Sequence, residues 1–81
     1  MNIGMLWFDN DPRTTLTVKV RRAADYYRQK YGQVPDLCLV HPSMLSGLHL
    51  DPIEGISGKV AVRPNRLIQP GHFWIGTEEK N

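Results

Sequence analysis

Asp9, Asp11 and His41 are the residues whose types and placement point most directly to chemistry. The two aspartates follow an apolar run, Ile3-Gly4-Met5-Leu6-Trp7-Phe8, and His41 follows a second, Leu37-Cys38-Leu39-Val40. If both runs are parallel strands of one open sheet, their C-terminal ends share the edge at which such sheets hold ligands. Two carboxylates and an imidazole converging there would suit a divalent ion, and with it metal-dependent hydrolysis. The plainer reading needs no ligand. Aspartates before a helix act as caps and complement its dipole, and a histidine before proline is an ordinary loop residue.

The run Phe8-Asp9-Asn10-Asp11-Pro12-Arg13-Thr14 resembles the nucleophile loop of the haloacid dehalogenase phosphatases, a strand followed by Asp-x-Asp-x-x-Thr or a similar pattern. The resemblance covers seven residues. The family's downstream lysine and paired aspartates on further strands have no room in a chain of 81 residues, so membership is not adopted.

A second constellation is basic. Residues 12–35 carry Arg13, Lys19, Arg21, Arg22, Arg28 and Lys30 against Asp25 alone, in a chain whose net charge is only +2. At about 100° per residue, Arg21 and Arg28 fall on one flank of a helix's exposed side and Arg22 on the other. Asp25 lies between them, at three- and four-residue spacings where ion pairs contribute roughly a few tenths of a kcal/mol each. The bland reading is a solvated helix face with its own counter-ion. The functional reading adds Arg63 and Arg66 from a later turn and makes a phosphate-contacting face for nucleic acid, provided turn and helix share one side of the molecule. Base stacking would also need exposed rings on a sheet, for which Phe73 or Trp74 is the candidate.

Other chemistry is weaker. Cys38, the single cysteine, sits inside an apolar run and reads as core; alone, it excludes an internal disulfide. His49 and His72 have no partners at zinc spacing. Residues 54–60 resemble a phosphate loop but carry Ile53 where the first glycine belongs and Val60 where Ser or Thr belongs. Trp7 and Trp74 read as core residues whose indole N–H seeks a partner at the rim. No cofactor is expected.

The elements that would position these residues are legible in outline. The first apolar run has strand length, and apolar character on both faces suggests burial in mid-sheet. Asp11-Pro12 suits an N-cap followed by proline at the first helical position, with Thr14 and Thr15 as competing caps. Leu16, Val20, Ala23, Ala24, Tyr27 and Tyr31 then form one stripe at helical spacing, and Gly32 is the expected stop. This predicts a helix from Pro12 or Thr14 to Tyr31. Leu37 to Val40 is a second strand, making a βαβ unit with its two strands parallel. Residues 43–47 suit a helical turn and 48–56 a loop. Lys59-Val60-Ala61-Val62 is a third strand, Gln69-Pro70-Gly71-His72 a type II turn and His72 to Gly76 a last strand.

The expected fold class is α/β (α+β) with two layers in a single domain over residues 1–81. A βαβ unit is followed by a C-terminal β-hairpin, and one long helix, about residues 12–31, packs on a four-stranded mixed sheet. A domain this small buries only about 60–65% of its unfolded surface, so its stability is thin. No apolar run approaches the ~18 residues of a membrane span, and the N-terminus lacks the basic flank of a signal peptide, so a cytoplasmic location is expected and no membrane partner. One helix covers only part of such a sheet, and the other face is solvated, covered by residues 43–57 or paired with another chain. The first two strands are apolar on both faces, so something must cover the second face. A homodimer is the simplest cover and a different protein the next. The expected function is therefore a non-enzymatic binding or accessory module acting through a protein interface. The rivals are a nucleic-acid-binding protein using Arg21, Arg22, Arg28, Arg63 and Arg66, and a metal-dependent hydrolase at Asp9, Asp11 and His41.

Overall fold

Alternating side chains sort each strand into one face that meets a helix and one that does not. The computed structural model describes residues 3–45, 53–54 and 58–77. The loop expected around His49, Ser46-Gly47 of the expected helical turn and the polar C-terminal residues lie outside them. Five strands form one sheet in the order β1-β5-β2-β4-β3, where β1 is Ile3–Phe8, β2 Leu37–Val40, β3 Ile53–Glu54, β4 Lys59–Pro64 and β5 His72–Thr77. Helix α1, Leu16–Tyr31, packs on one face. The expected helix on a four-stranded mixed sheet is present, with the two-residue β3 added at one edge.

β1 and β2 both run antiparallel to β5, so they are parallel to one another, but β5 lies between them. β2 pairs in parallel with β4. The last two strands keep the antiparallel, hairpin-like relation expected of them, with β2 inserted in the gap. β1 lies at the end of the sheet rather than in its middle, as its apolar sequence suggested. Its central place is taken by β5, which meets β1 on one side and β2 on the other.

The helix starts at Leu16, four residues after Pro12. Asp11 does not cap it. Its Oδ1 accepts from Arg13 N–H at 2.9 Å and its Oδ2 from Thr14 Oγ1 at 3.2 Å, which closes a separate turn. The cap is Thr15, whose Oγ1 accepts from Val18 N–H at 3.3 Å. Gly32 ends the helix with φ 69°, a left-handed conformation that costs glycine nothing, and its N–H donates to Arg28 O.

Val20, Ala23, Ala24 and Tyr27 are buried against Cys38, Val40, Val60, Phe73 and Ile75. Tyr31, expected on the same stripe, is half exposed, with its ring 4.7 Å from that of Tyr27. The type II turn is as expected: His72 N–H donates to Gln69 O at 3.0 Å and Gly71 has φ 86°. Among the described residues no helix is long and apolar enough to cross a membrane.

Candidate functional site: the open face of the sheet

The acidic edge comes first, because the sequence points there. Asp9 and His41 do follow parallel strands at one edge, but with β5 interposed those strands are about 10 Å apart. Each side chain is also occupied locally. Asp9 Oδ1 accepts from Asp11 N–H at 3.0 Å. Asp11 holds its own turn and pairs with Arg13 Nε at 3.3 Å. The Arg13 backbone N–H holds the Asp11 carboxyl below its ordinary value, helped by the Arg13 and Thr14 side chains and by the charge of Lys19, while partial desolvation works against them. His41 Nδ1 accepts from Ser43 N–H at 3.1 Å and lies 2.8 Å from Ser43 Oγ, capping the 3-10 turn Pro42–Met44. Among the described residues no three His, Cys, Asp or Glu side chains form a group that could hold a metal ion.

The basic residues divide between two layers. Arg21, Arg22 and Arg28 are exposed on α1. Val60 and Val62 pack beneath the helix, so Arg63 belongs by alternation to the opposite face of β4. Arg66 is exposed in the following turn. The composite of helix and turn therefore has no single side on which Arg63 can join the helix arginines. Phe73 is fully buried on the helix face; of the two rings expected as stacking candidates, Trp74 alone lies on the other.

That other face is the most distinctive surface of the molecule. Register places Leu6, Trp74, Leu39 and Arg63 in one row across β1, β5, β2 and β4. A second row pairs Phe8 with His72, and a third pairs Gly4 with Gly76 and Leu37. The absence of a side chain at Gly4 makes room for the Trp74 indole; a Cβ there would collide with the ring and approach Ile75 O to 2.9 Å. The face is closed toward Leu37, which is buried, and open toward Leu6 and Phe8, which are 65% and 58% exposed.

The β4–β5 connection builds a wall beside it. Asn65 N–H donates to Val40 O at 2.7 Å, and Asn65 Oδ1 accepts from Leu67 N–H at 2.9 Å. Gly71 N–H points to Met44 Sδ at 3.2 Å. These bonds fix a loop that holds Leu67 90% exposed. Leu6, Leu67, Ile68, Gln69 and His72 line a cleft of about 310 Å³. The His72 ring lies 4.8 Å from that of Phe8, and its Nδ1 is buried without a hydrogen-bond partner. Composition marked the strands as apolar on both faces. It gave no signal that Leu67, in the turn after Arg66, would stand at the rim of a cleft.

No protein-family model, curated protein or solved structure matches this chain.

Proposed function

We propose that this chain is a non-enzymatic binding module that works through a protein interface on the open sheet face, with self-association as its simplest form. One observation carries the reading: among the described residues Leu6, Phe8 and Leu67 are the most exposed large apolar side chains, Leu6 and Leu67 line one cleft, and Phe8 adjoins it through the His72 ring. Large apolar side chains scattered singly over a surface need no explanation, but a contiguous group bordering a cleft marks an interaction site. The fixed loop adds support, because a preordered apolar rim loses little entropy on binding.

The rival readings have less behind them. A phosphate-contacting face would need Arg63 beside Arg21, Arg22 and Arg28, and it lies across the sheet from them. Metal-dependent hydrolysis would need Asp9, Asp11 and His41 free and close, and each is committed to its own turn.

Sedimentation velocity over a wide concentration range tests the proposal. The wild type is expected to associate, and Phe8→Ser with Leu67→Ser is expected to sediment as a monomer with an unchanged circular dichroism spectrum. A wild type that stays monomeric at the highest concentration, and takes up no apolar peptide in the cleft, would overturn it.

A further inference from the structure

We propose that β1 pairs antiparallel with β1 of a second copy of this chain, across a two-fold axis at Leu6, so that two sheets run on as one. The inference rests on the protein-interface reading and names its partner and geometry.

Backbone groups identify the kind of occupant. β1 is an end strand: β5 bonds to one side, and no described strand bonds to the other. Asp9 N–H donates to Gly71 O, which continues the β1–β5 register by one step, so odd-numbered residues turn their N–H and C=O toward β5. By alternation Gly4, Leu6 and Phe8 turn theirs outward. A row of outward donors and acceptors is matched by another strand, which can meet them in sequence. The other edge of the sheet is guarded in the usual manner, by a strand of only two residues. Among the described residues β1 has no such guard. Ile3–Phe8 contains no charge and no proline.

Self-complementarity identifies the occupant as a second copy. With the axis at Leu6, Leu6 opposes the partner's Leu6 and Gly4 opposes the partner's Phe8. Every outward-facing residue of both strands then finds a partner within β1. Moving the axis to Met5 or Trp7 leaves Phe8 or Gly4 opposite a residue outside the strand. Of the outward-turned residues Gly4, Leu6 and Phe8, the Leu6 register also sets the smallest against the largest, and the Trp74 ring already lies across Gly4 to receive the incoming phenyl group. No like charges meet. Residues that oppose one another share a face, so both helices lie on one side and both open faces on the other. Apolar surface flanks the seam on each side: Leu6 and Phe8 on the open face, and half-exposed Tyr26 against Trp7, ring centroids 5.0 Å apart, on the helix side.

Disulfide capture tests the geometry. Hydrogen-bonded antiparallel residues have Cα atoms about 5.5 Å apart, within the range a disulfide spans. Leu6→Cys, oxidised with copper–phenanthroline, is expected to form a covalent dimer about tenfold or more faster than Gln29→Cys on the exposed side of α1, since pairing raises the local thiol concentration into the millimolar range. Met5→Cys, opposed by the partner's Trp7, is expected to lag in the same way as Gln29→Cys. Leu6→Pro removes an outward N–H without touching the bonds to β5 and is expected to sediment as a monomer. A wild type that sediments as a monomer overturns both this proposal and the interface reading. A wild-type dimer in which Leu6→Cys crosslinks no faster than Gln29→Cys, while Leu67→Cys does, overturns the β1 pairing and leaves the interface reading standing.

Discussion

Cys38 shows how burial decides chemistry at the scale of one residue. The thiol is fully buried beneath α1, and burial pushes it up to about 12 because a thiolate there would lose its hydration. Two outcomes follow. At neutral pH the native protein should leave Ellman's reagent unreacted, whereas the guanidinium-unfolded chain should react at once; rapid reaction of the native protein would contradict the burial. The second outcome concerns pH. Above its ordinary value of 9.0 the unfolded thiol loses a proton that the folded one keeps until about 12. The unfolded state therefore binds fewer protons across that window, and stability contributed below it falls as pH rises through it. Denaturant midpoints at about pH 7 and about pH 10 should differ less in Cys38→Ala than in the wild type. His41 and Asp11 teach the complementary lesson. Both are chemically capable side chains, and both spend that capacity on local backbone N–H groups.

At the scale of elements, Gly4 is where β1 and β5 press together most closely. A methyl group there meets both the Trp74 ring and the Ile75 carbonyl, and the carbonyl belongs to the paired strand and cannot swing away. Gly4→Ala should therefore destabilise the domain by about 1–3 kcal/mol, as overpacking does, despite alanine's lower unfolded entropy. For a chain of this size that is a fall in the melting midpoint of roughly 4–8 °C per kcal/mol. An unchanged midpoint would mean that the indole does not lie over Gly4. The helix was legible in the sequence because Val20, Ala23, Ala24 and Tyr27 recur at helical spacing and Gly32 can adopt the left-handed stop. Its start was less so, because Asp11-Pro12 is a good opening both for a helix and for a turn, and the geometry of the Asp11 side chain chose the turn. Strand lengths were legible in the apolar runs. The insertion of β5 between β1 and β2 was not, since it depends on pairings between residues 35 to 74 positions apart, which no local pattern encodes.

At the scale of the whole molecule, the same insertion decides what the chain can offer a partner. It separates Asp9 from His41, places β1 at the edge and lays Leu6 beside Trp74 on a face that α1 does not cover. The need for a cover was readable from strands apolar on both faces, but the residues that need it, Leu6, Phe8 and Leu67, emerge only once strand order and the β4–β5 loop are known. A chain of 81 residues has little core with which to offset the exposure of such a face. Association that shields Leu6 and Phe8 at the proposed seam should therefore register as stability. Binding to the native state alone adds about 2.7 kcal/mol at a hundredfold excess over Kd, on the order of 10 °C in a domain this small. The melting midpoint is accordingly expected to rise with protein concentration in differential scanning calorimetry. Leu6→Lys should abolish that rise, because it sets two ammonium groups against each other at the proposed seam. It should still melt where the dilute wild type does, since residue 6 is exposed in the single chain and contributes little to the core. A midpoint independent of concentration in the wild type would show that the β1 edge is left to water and that the chain is stable without a second copy.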